Sequence, residues 1–308
     1  MNLLFLFLLL CLLQISLLLI HLLPIRKPCR QPRSIQYLSV MVDSDWLALV
    51  IGNSRLHWAW FRGTTLQQAW DTPHFSSELI ADLTQHQLDF AACAEGLTAE
   101  LPTVPNFLPY IPASQPLWLA SVIPAQVPLW QTYPQTQVIT LATIPITGLY
   151  PTLGIDRALA LLGAATIHGL PSLVIDAGTG LTFTGANAEA QLVGGAILPG
   201  LRLQLRSLAE HTAALPYLSN RQVSLPQRWS TNTTDAIWSG VLYSLLAGIR
   251  DFVSAWQQQF SSGSILLTGG DAPLLIDLLR QQDPKLAAQI EVDPHLIFWG
   301  IRQVATQL

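Results

Sequence analysis

Leu173-Val174-Ile175-Asp176-Ala177-Gly178-Thr179-Gly180-Leu181-Thr182-Phe183-Thr184 is the stretch on which the fold turns. Its branched apolar start reads as a buried strand, broken at Ala-Gly-Thr-Gly. Alternating Thr and apolar residues follow at once, so the break is a hairpin turn. Glycines there let backbone N–H groups face outward with no Cβ in the way, and Thr179 adds a hydroxyl. Such a nest of donors suits phosphate oxygens. Asp176, at the end of the buried strand, is placed to reach a cation on that phosphate. An ordinary tight turn beside a partly exposed Asp has the same sequence, and this stretch alone does not choose between the two.

An earlier stretch follows the same plan. Trp46 to Ile51 is an apolar strand ending in Gly52-Asn53-Ser54. Arg55 to Phe61 reads as a second strand, Arg62-Gly63-Thr64-Thr65 as a turn, and Leu66 to Trp70 as a third strand. The later copy runs strand, glycine-hydroxyl turn, strand, Gly-Ala-Asn turn, then Gln191 to Leu198. Gly52 aligns with Gly178, and Asn53-Ser54 with Thr179-Gly180. Repetition of one unit points to internal duplication. Two such halves can face each other across a cleft, each offering one phosphate-binding hairpin; coincidence between two common hairpins is the competing account.

Between the copies, Ser76 to Gln87 reads as a helix opened by a Ser-Ser-Glu cap. Residues 98–116 hold five prolines and read as a loop. Leu117 to Pro124 and Val138 to Leu141 are further strands. Gly148-Leu149-Tyr150-Pro151-Thr152-Leu153-Gly154-Ile155-Asp156-Arg157 runs into a helical pattern over Ala158 to His168. Asp156 stands near that helix's start, where the helix dipole favours a carboxylate, so capping explains it as well as chemistry does. Arg157 fits a surface position equally. After the second copy, Gly194-Gly195-Ala196-Ile197-Leu198-Pro199-Gly200 leads into a helix from Leu201 to His211. Two helical patterns cover Asp235–Phe260, capped by Asn232-Thr233-Thr234-Asp235. Gly263 to Asp271 is a strand ending in Gly269-Gly270, followed by a helix from Pro273 to Gln281. Paired glycines at a strand's carboxyl end let a flat ring lie against bare backbone. Leu296 to Leu308 closes the chain as a packing helix.

Composition narrows the function classes. The 308 residues are half hydrophobic, enough for a large core and two domains. A net charge of −4 with only 15 Lys plus Arg argues against nucleic acid as the partner. Three scattered cysteines, Cys11, Cys29 and Cys93, form neither a disulfide framework nor a CxxC pair, so a reducing compartment is expected. Seven histidines show no metal-ligand spacing. Residues 2–23 are almost uninterrupted Leu, Ile and Phe, long enough to span a bilayer. Arg26, Lys27, Arg30 and Arg33 follow, and by the positive-inside rule that flank stays cytoplasmic. A cleaved signal peptide fits poorly, because the charges come after the apolar core. Met41, five residues before Trp46, offers another start, which would make residues 1–40 an upstream extension of the reading frame. The expected division is a leader over 1–40 outside the fold, a first domain over 41–150 and a second over 151–308.

Taken in order, Gly52-Asn53-Ser54, Gly154-Ile155-Asp156-Arg157, Asp176-Ala177-Gly178-Thr179, Gly194-Gly195 with Pro199-Gly200, Asn232-Thr233 and Thr268-Gly269-Gly270-Asp271 resemble type III pantothenate kinases. These are members of the actin-like, sugar-kinase and heat-shock ATPase superfamily. The resemblance runs from about Trp46 to the carboxyl end. It implies an α/β fold of two ribonuclease-H-like domains with mixed five-stranded sheets, a homodimer, and ATP-dependent phosphorylation of pantothenate, the first step to coenzyme A. It implies Asp156 as the base for the hydroxyl proton, and Arg157 with Gly154, Ile155 and Tyr150 around the pantothenate. Thr233 would reach that pocket from the partner subunit. Gly52, Asn53, Ser54, Gly178 and Thr179 would cradle phosphates, and Gly269, Gly270 and Asp271 would face the adenosine. Asp176 would help hold Mg²⁺ and a monovalent ion, K⁺ or NH4⁺. Phosphoryl transfer asks a protein mainly for alignment and charge neutralisation. An aspartate suits the proton transfer because the alcohol's proton leaves late, and arginine matches a carboxylate in a forked geometry.

Two departures stand out. The family's first hairpin usually begins Asp-x-Gly-Asn, and here Val50 takes the Asp position, with Asp43 and Asp45 at the wrong end of the strand to replace it. Tyr150-Pro151 also sits closer to Gly154 than the family's Tyr and Pro do, which opens the role of Tyr150. Three functions therefore fit the sequence: an active pantothenate kinase, a non-catalytic relative that binds nucleotide or pantothenate, and another small-molecule kinase or acid-anhydride hydrolase of the superfamily. The cytoplasm is the expected location for each.

Overall fold

A computed structural model describes residues 44–218 and 224–307. The leader over 1–40, Cys11, Cys29 and Asp43 lie outside the described residues. The first half runs β1 Asp45–Ile51, β2 Leu56–Arg62, β3 Thr65–Thr72, α1 Ser77–Gln85, α2 Ala94–Glu100, β4 Leu117–Ser121, α3 Val127–Trp130, β5 Thr136–Val138 and α4 Ile155–His168. The second runs β6 Ser172–Ala177, β7 Gly180–Ala186, β8 Leu192–Pro199, α5 Leu201–Glu210, α6 Thr233–Gln259, β9 Ser264–Thr268, α7 Ala272–Gln282, α8 Pro284–Ala287, β10 Glu291–Val292 and α9 Leu296–Gln307. One sheet has the order β3-β2-β1-β4-β5 and the other β10-β9-β6-β7-β8. Read from its other edge, the second order is the first, with β6 in the place of β1. In each, the first three strands are antiparallel and the last two join in parallel. This is the ribonuclease-H-like order, present twice, and the duplication read from the hairpins is real.

Both faces of each central strand are covered. Leu47, Leu49 and Ile51 of β1 point to a core shared with Leu79, Ile80, Leu83 and Leu97 of α1 and α2. Trp46, Ala48 and Val50 point the other way, to a core shared with α4 and α9. On β6, Leu173, Ile175 and Ala177 meet the apolar stripe of α6, where Ile237, Val241, Leu245, Ile249, Val253 and Trp256 recur at helical spacing. Val174 faces α4 and α9. The two sheets thus turn equivalent inner faces to one helix pair. α4 and α9 occupy equivalent places in their halves and cross closely: a Cβ on Gly163 would collide with the Leu296 carbonyl, and one on Gly300 with that of Leu159. α6 is the one helix among the described residues long and apolar enough to cross a membrane, and its apolar face is this core.

Several boundaries differ from the sequence reading. α4 begins at Ile155, because Gly154 caps it without a side chain, so Asp156 and Arg157 lie inside the first turn. β5 ends at Val138 and a helical turn begins at Leu141, so the strand does not run across Val138–Leu141. Part of the proline-rich loop is helical, α2 and a short turn at Leu108–Tyr110. The two patterns over Asp235–Phe260 are one continuous helix whose packing on sheet two overrides the glycines inside it. The Ser76 cap forms as expected, its hydroxyl accepting from Leu79 N–H at 3.1 Å. Asn232 caps α6 by accepting from Asp235 N–H at 2.9 Å.

Gly163→Ala is expected to cost about 1–3 kcal/mol or more by forcing α4 and α9 apart. Gly248→Ala in α6, where an added Cβ meets nothing within 4 Å, is expected to gain roughly 0.5–1 kcal/mol. Denaturant melts of both variants check the contrast.

Candidate active site

The two hairpins meet. Ser54 Oγ, in the β1–β2 turn, lies 2.8 Å from Thr179 Oγ1 in the β6–β7 turn. Gly178 N–H donates to Gly180 O at 3.0 Å, and Gly52 N–H to Arg55 O at 3.0 Å, so each turn is closed by its own backbone. Gly200 N–H donates to Thr179 O at 2.9 Å, which pins the exit of β8 against the second hairpin. Asn53 and Ser54 are exposed at the first turn and Thr179 at the second.

Asp176 lies on the inner face, two residues before Gly178, and pairs in register with Thr182 on β7 and Thr268 on β9. Its carboxyl is pushed up to about 6; burial is the main cause, the charge of Asp156 adds to it, and the charge of His57 works against both. Asp156 on α4 and His57 on β2 therefore lie within electrostatic reach of Asp176. Gly269, with φ at +94°, leaves the space that Asp176 occupies: a Cβ there would collide with Asp176 Oδ1 and the Ala177 backbone. Asp271 is buried, its N–H donating to Ala177 O at 2.9 Å and its carboxylate turned towards Arg202 Nε at 3.9 Å. Gly269, Gly270 and Asp271 therefore tie the end of β9 to the end of β6, beside the second hairpin.

Asp156 is half-buried, and one of its oxygens accepts from Arg157 N–H at 2.8 Å. A Cβ on Gly154 would collide with the same oxygen. Part of the capping reading is thus correct, and the second carboxylate oxygen has no hydrogen-bond partner among the described residues. Arg157 is not a surface residue. It is 7% exposed, with Nε donating to Thr184 Oγ1 at 2.9 Å, Nη2 to Phe183 O at 2.9 Å and Nη1 to Tyr150 OH at 3.2 Å. A side chain at Gly195 would collide with Phe183 O and crowd Nη2, whereas one at Gly194 would meet nothing within 4 Å, so Gly195 alone of the β8 pair makes room for this guanidinium. No carboxylate among the described residues forms an ion pair with Arg157. A buried cation held by neutral groups is a site for an anion. Tyr150, despite its shifted position in sequence, reaches this guanidinium.

Thr233 is exposed at the first turn of α6, and no bond links it to the cluster. Val50 is 1% exposed in the inner core, so the first half offers no carboxylate at the place matching Asp176. Sequence reasoning missed three residues here. Thr184 seats Arg157. His57 pairs with Val50 across β1–β2, and Asp71 on β3 lies 2.7 Å from His57 Nδ1 and 3.4 Å from Arg55. Burial raises the Asp71 carboxyl, but His57 and Arg55 outweigh that and hold it below its usual value. Counting register outward from Gly52 would have found the pair.

The donor set fits a hard divalent cation: carboxylates, hydroxyls and backbone groups, with Asp176 in no ion pair among the described residues. Two ribonuclease-H-like halves, paired glycine hairpins and a carboxylate beside them define the class, the actin-like, sugar-kinase and heat-shock ATPases. The family model of type III pantothenate kinases matches residues 46–255. A type III pantothenate kinase of Nostoc is 47% identical over 264 residues, covering 85% of this chain and 95% of the relative. One of Synechocystis is 40% identical over 268 residues, covering 85% and 93%. A crystal structure of a Baf family transcriptional activator from Campylobacter jejuni shares the fold at a TM-score of 0.53 and 21% identity, covering 84% of this chain and 96% of that one. The chain belongs to the type III pantothenate kinase family.

Asp176 carries a stability consequence. Its folded pKa lies above the unfolded value, so the fold is penalised as the carboxyl ionises, fully so above about pH 6. Asp176→Asn is expected to raise the melting temperature at pH 7, with the gain shrinking as pH falls through 6 towards the unfolded value of 3.8 and vanishing below it, where the carboxyl is protonated in both states. Thermal melts across that range check it; a gain independent of pH would contradict the assignment.

Proposed function

We propose that the chain transfers the γ-phosphoryl group of ATP to the primary hydroxyl of pantothenate, giving 4′-phosphopantothenate for coenzyme A synthesis. The observation that carries this reading is Arg157, a buried guanidinium with no carboxylate of its own, one residue from the half-exposed Asp156. An acidic alcohol satisfies both, its carboxylate on the arginine and its hydroxyl at the aspartate; a neutral sugar would leave the arginine unpaired. Gly154, Ile155 and Tyr150 complete that pocket. The nucleotide's phosphates lie along Gly52, Asn53, Ser54, Gly178 and Thr179, with Gly269, Gly270 and Asp271 on the adenosine side.

In the reaction, the pantothenate oxygen attacks the γ-phosphorus, the bond to the ADP oxygen breaks, and Asp156 takes the hydroxyl proton. Asp176 and the two hairpin hydroxyls are the residues that would hold Mg²⁺, which neutralises phosphate charge when bound. K⁺ or NH4⁺ as a second, monovalent ion rests on the family resemblance alone. A homodimer is supported by the exposed apolar side chains of Val193, Ile197, Leu203 and Trp229 in the second half, and Thr233 then serves the partner's pocket. The catalytic part works in the cytoplasm, as the positive charges after residues 2–23 favour.

Val50 favours a second reading, a relative that binds these ligands without turnover. The purified protein is expected to consume ATP only when both pantothenate and Mg²⁺ are present; binding without turnover selects the second reading, and turnover on sugars overturns both. Asp156→Asn is expected to lower kcat by roughly 10²–10⁴-fold with an unchanged melting curve. Arg157→Gln should raise KM for pantothenate far more than KM for ATP, as steady-state kinetics would show.

A further inference from the structure

The inner face of each sheet carries one row of three residues at the mouth of its hairpin. In the second half the row is Asp176, Thr182 and Ile197. In the first half the matching row is Val50, His57 and Asp71. Both rows start two residues before their hairpin glycine, so the comparison is position for position. The charge sits on the central strand in one half; in the other it has moved outward by two strands, with an imidazole between.

That imidazole is aimed. Its Nδ1 lies 2.7 Å from Asp71 Oδ1, and a carboxylate opposite Nδ1 makes that nitrogen the donor. The ring is turned so that Nε2 stands 3.1 Å from the point where a Cβ on Gly52 would be, beside the glycine of the first hairpin. The ring is part-exposed, Nε2 makes no hydrogen bond within the described residues, and the charge of His57 is felt at Asp176. Gly52 leaves the space in front of it clear.

We propose that His57 is the first half's contact to the triphosphate, donating from Nε2 to a phosphate oxygen at the Gly52 hairpin, with Asp71 as its positioning residue. The proposal rests on the kinase reading above and adds to it a group that replaces the lost carboxylate by other means. A carboxylate at Val50 would act through a metal, whereas Mg²⁺ takes oxygen ligands and an imidazole does not substitute there. With Nδ1 donating to Asp71, Nε2 donates only from the doubly protonated ring, the form that an anionic phosphate in front of it favours, and that form is a charge-assisted donor in its own right. Asp71 holds the ring by Nδ1, as an outer carboxylate orients a ligand histidine elsewhere, and Arg55 at 3.4 Å shares the Asp71 charge.

The test uses the full chain and measures ATP and pantothenate KM, calorimetric affinity for the non-hydrolysable analogue AMP-PNP in Mg²⁺, and melting temperature. His57→Ala and His57→Gln are expected to weaken AMP-PNP and raise KM for ATP by about 10-fold or more, leaving KM for pantothenate and the melting temperature near the parent's. Asp71→Ala is expected to act in the same direction and to add nothing in the His57→Ala background. In the parent, the His57 ring resonance should shift when AMP-PNP binds. ATP KM and AMP-PNP affinity within twofold of the parent in His57→Ala would overturn the proposal. So would an unchanged ATP KM with an altered choice among Mg²⁺, Mn²⁺ and Co²⁺, which would make His57 a metal ligand. If the parent itself shows no pantothenate-dependent turnover the kinase reading fails, and the AMP-PNP affinities still decide the role of His57.

Discussion

The close crossing of α4 and α9 is the constraint on which the rest depends. Gly163 and Gly300 remove the side chains that would otherwise hold the helices apart, and each glycine lies against a carbonyl of the other helix. The inner faces of both sheets pack on that pair. Because the halves repeat one topology about it, the ends of β1 and β6 arrive together, and their hairpins touch through Ser54 and Thr179 at 2.8 Å. α4 carries Asp156 and Arg157 on its first turn, so the helix that joins the halves also delivers the chemistry to their meeting point.

The site is electrostatically unfinished. Asp176 is half-buried near a second carboxylate, and its carboxyl is raised to about 6, by desolvation first and by that charge second. Arg157 is buried with only neutral partners. A fold spends stability to hold such groups apart from compensating charge, and a metal-bound phosphate chain and an acidic substrate carry charges of the matching sign. The first half differs from the second by a shift along one row: the inner central position is apolar at Val50, and the charge stands at His57 and Asp71.

Much of this was legible locally. Glycine and hydroxyl residues between apolar strands announce a hairpin whatever surrounds them, and the repetition of the unit gave the duplication. Asp156 and Arg157 were legible as a pair, but not their settings, because Thr184, Phe183 and Gly195 meet Arg157 only through the register of β7 and β8. The start of α4 was misplaced because Gly154 caps without a side chain. α6 read as two helices because Gly240 and Gly248 look like breaks until the helix packs on sheet two. His57 and Asp71 were passed over because the third strand was ended at Trp70, one residue short of the partner that gives His57 its orientation.

The claim that two hairpins close over one triphosphate, with an acidic alcohol held alongside, is open to direct sight. A crystal structure with a non-hydrolysable ATP analogue, Mg²⁺ and pantothenate is the measurement. It should show phosphates between Gly52–Ser54 and Gly178–Thr179, the pantothenate hydroxyl at Asp156 and its carboxylate on Arg157. Phosphates bound away from either hairpin, or pantothenate with its carboxylate turned from Arg157, would contradict the account.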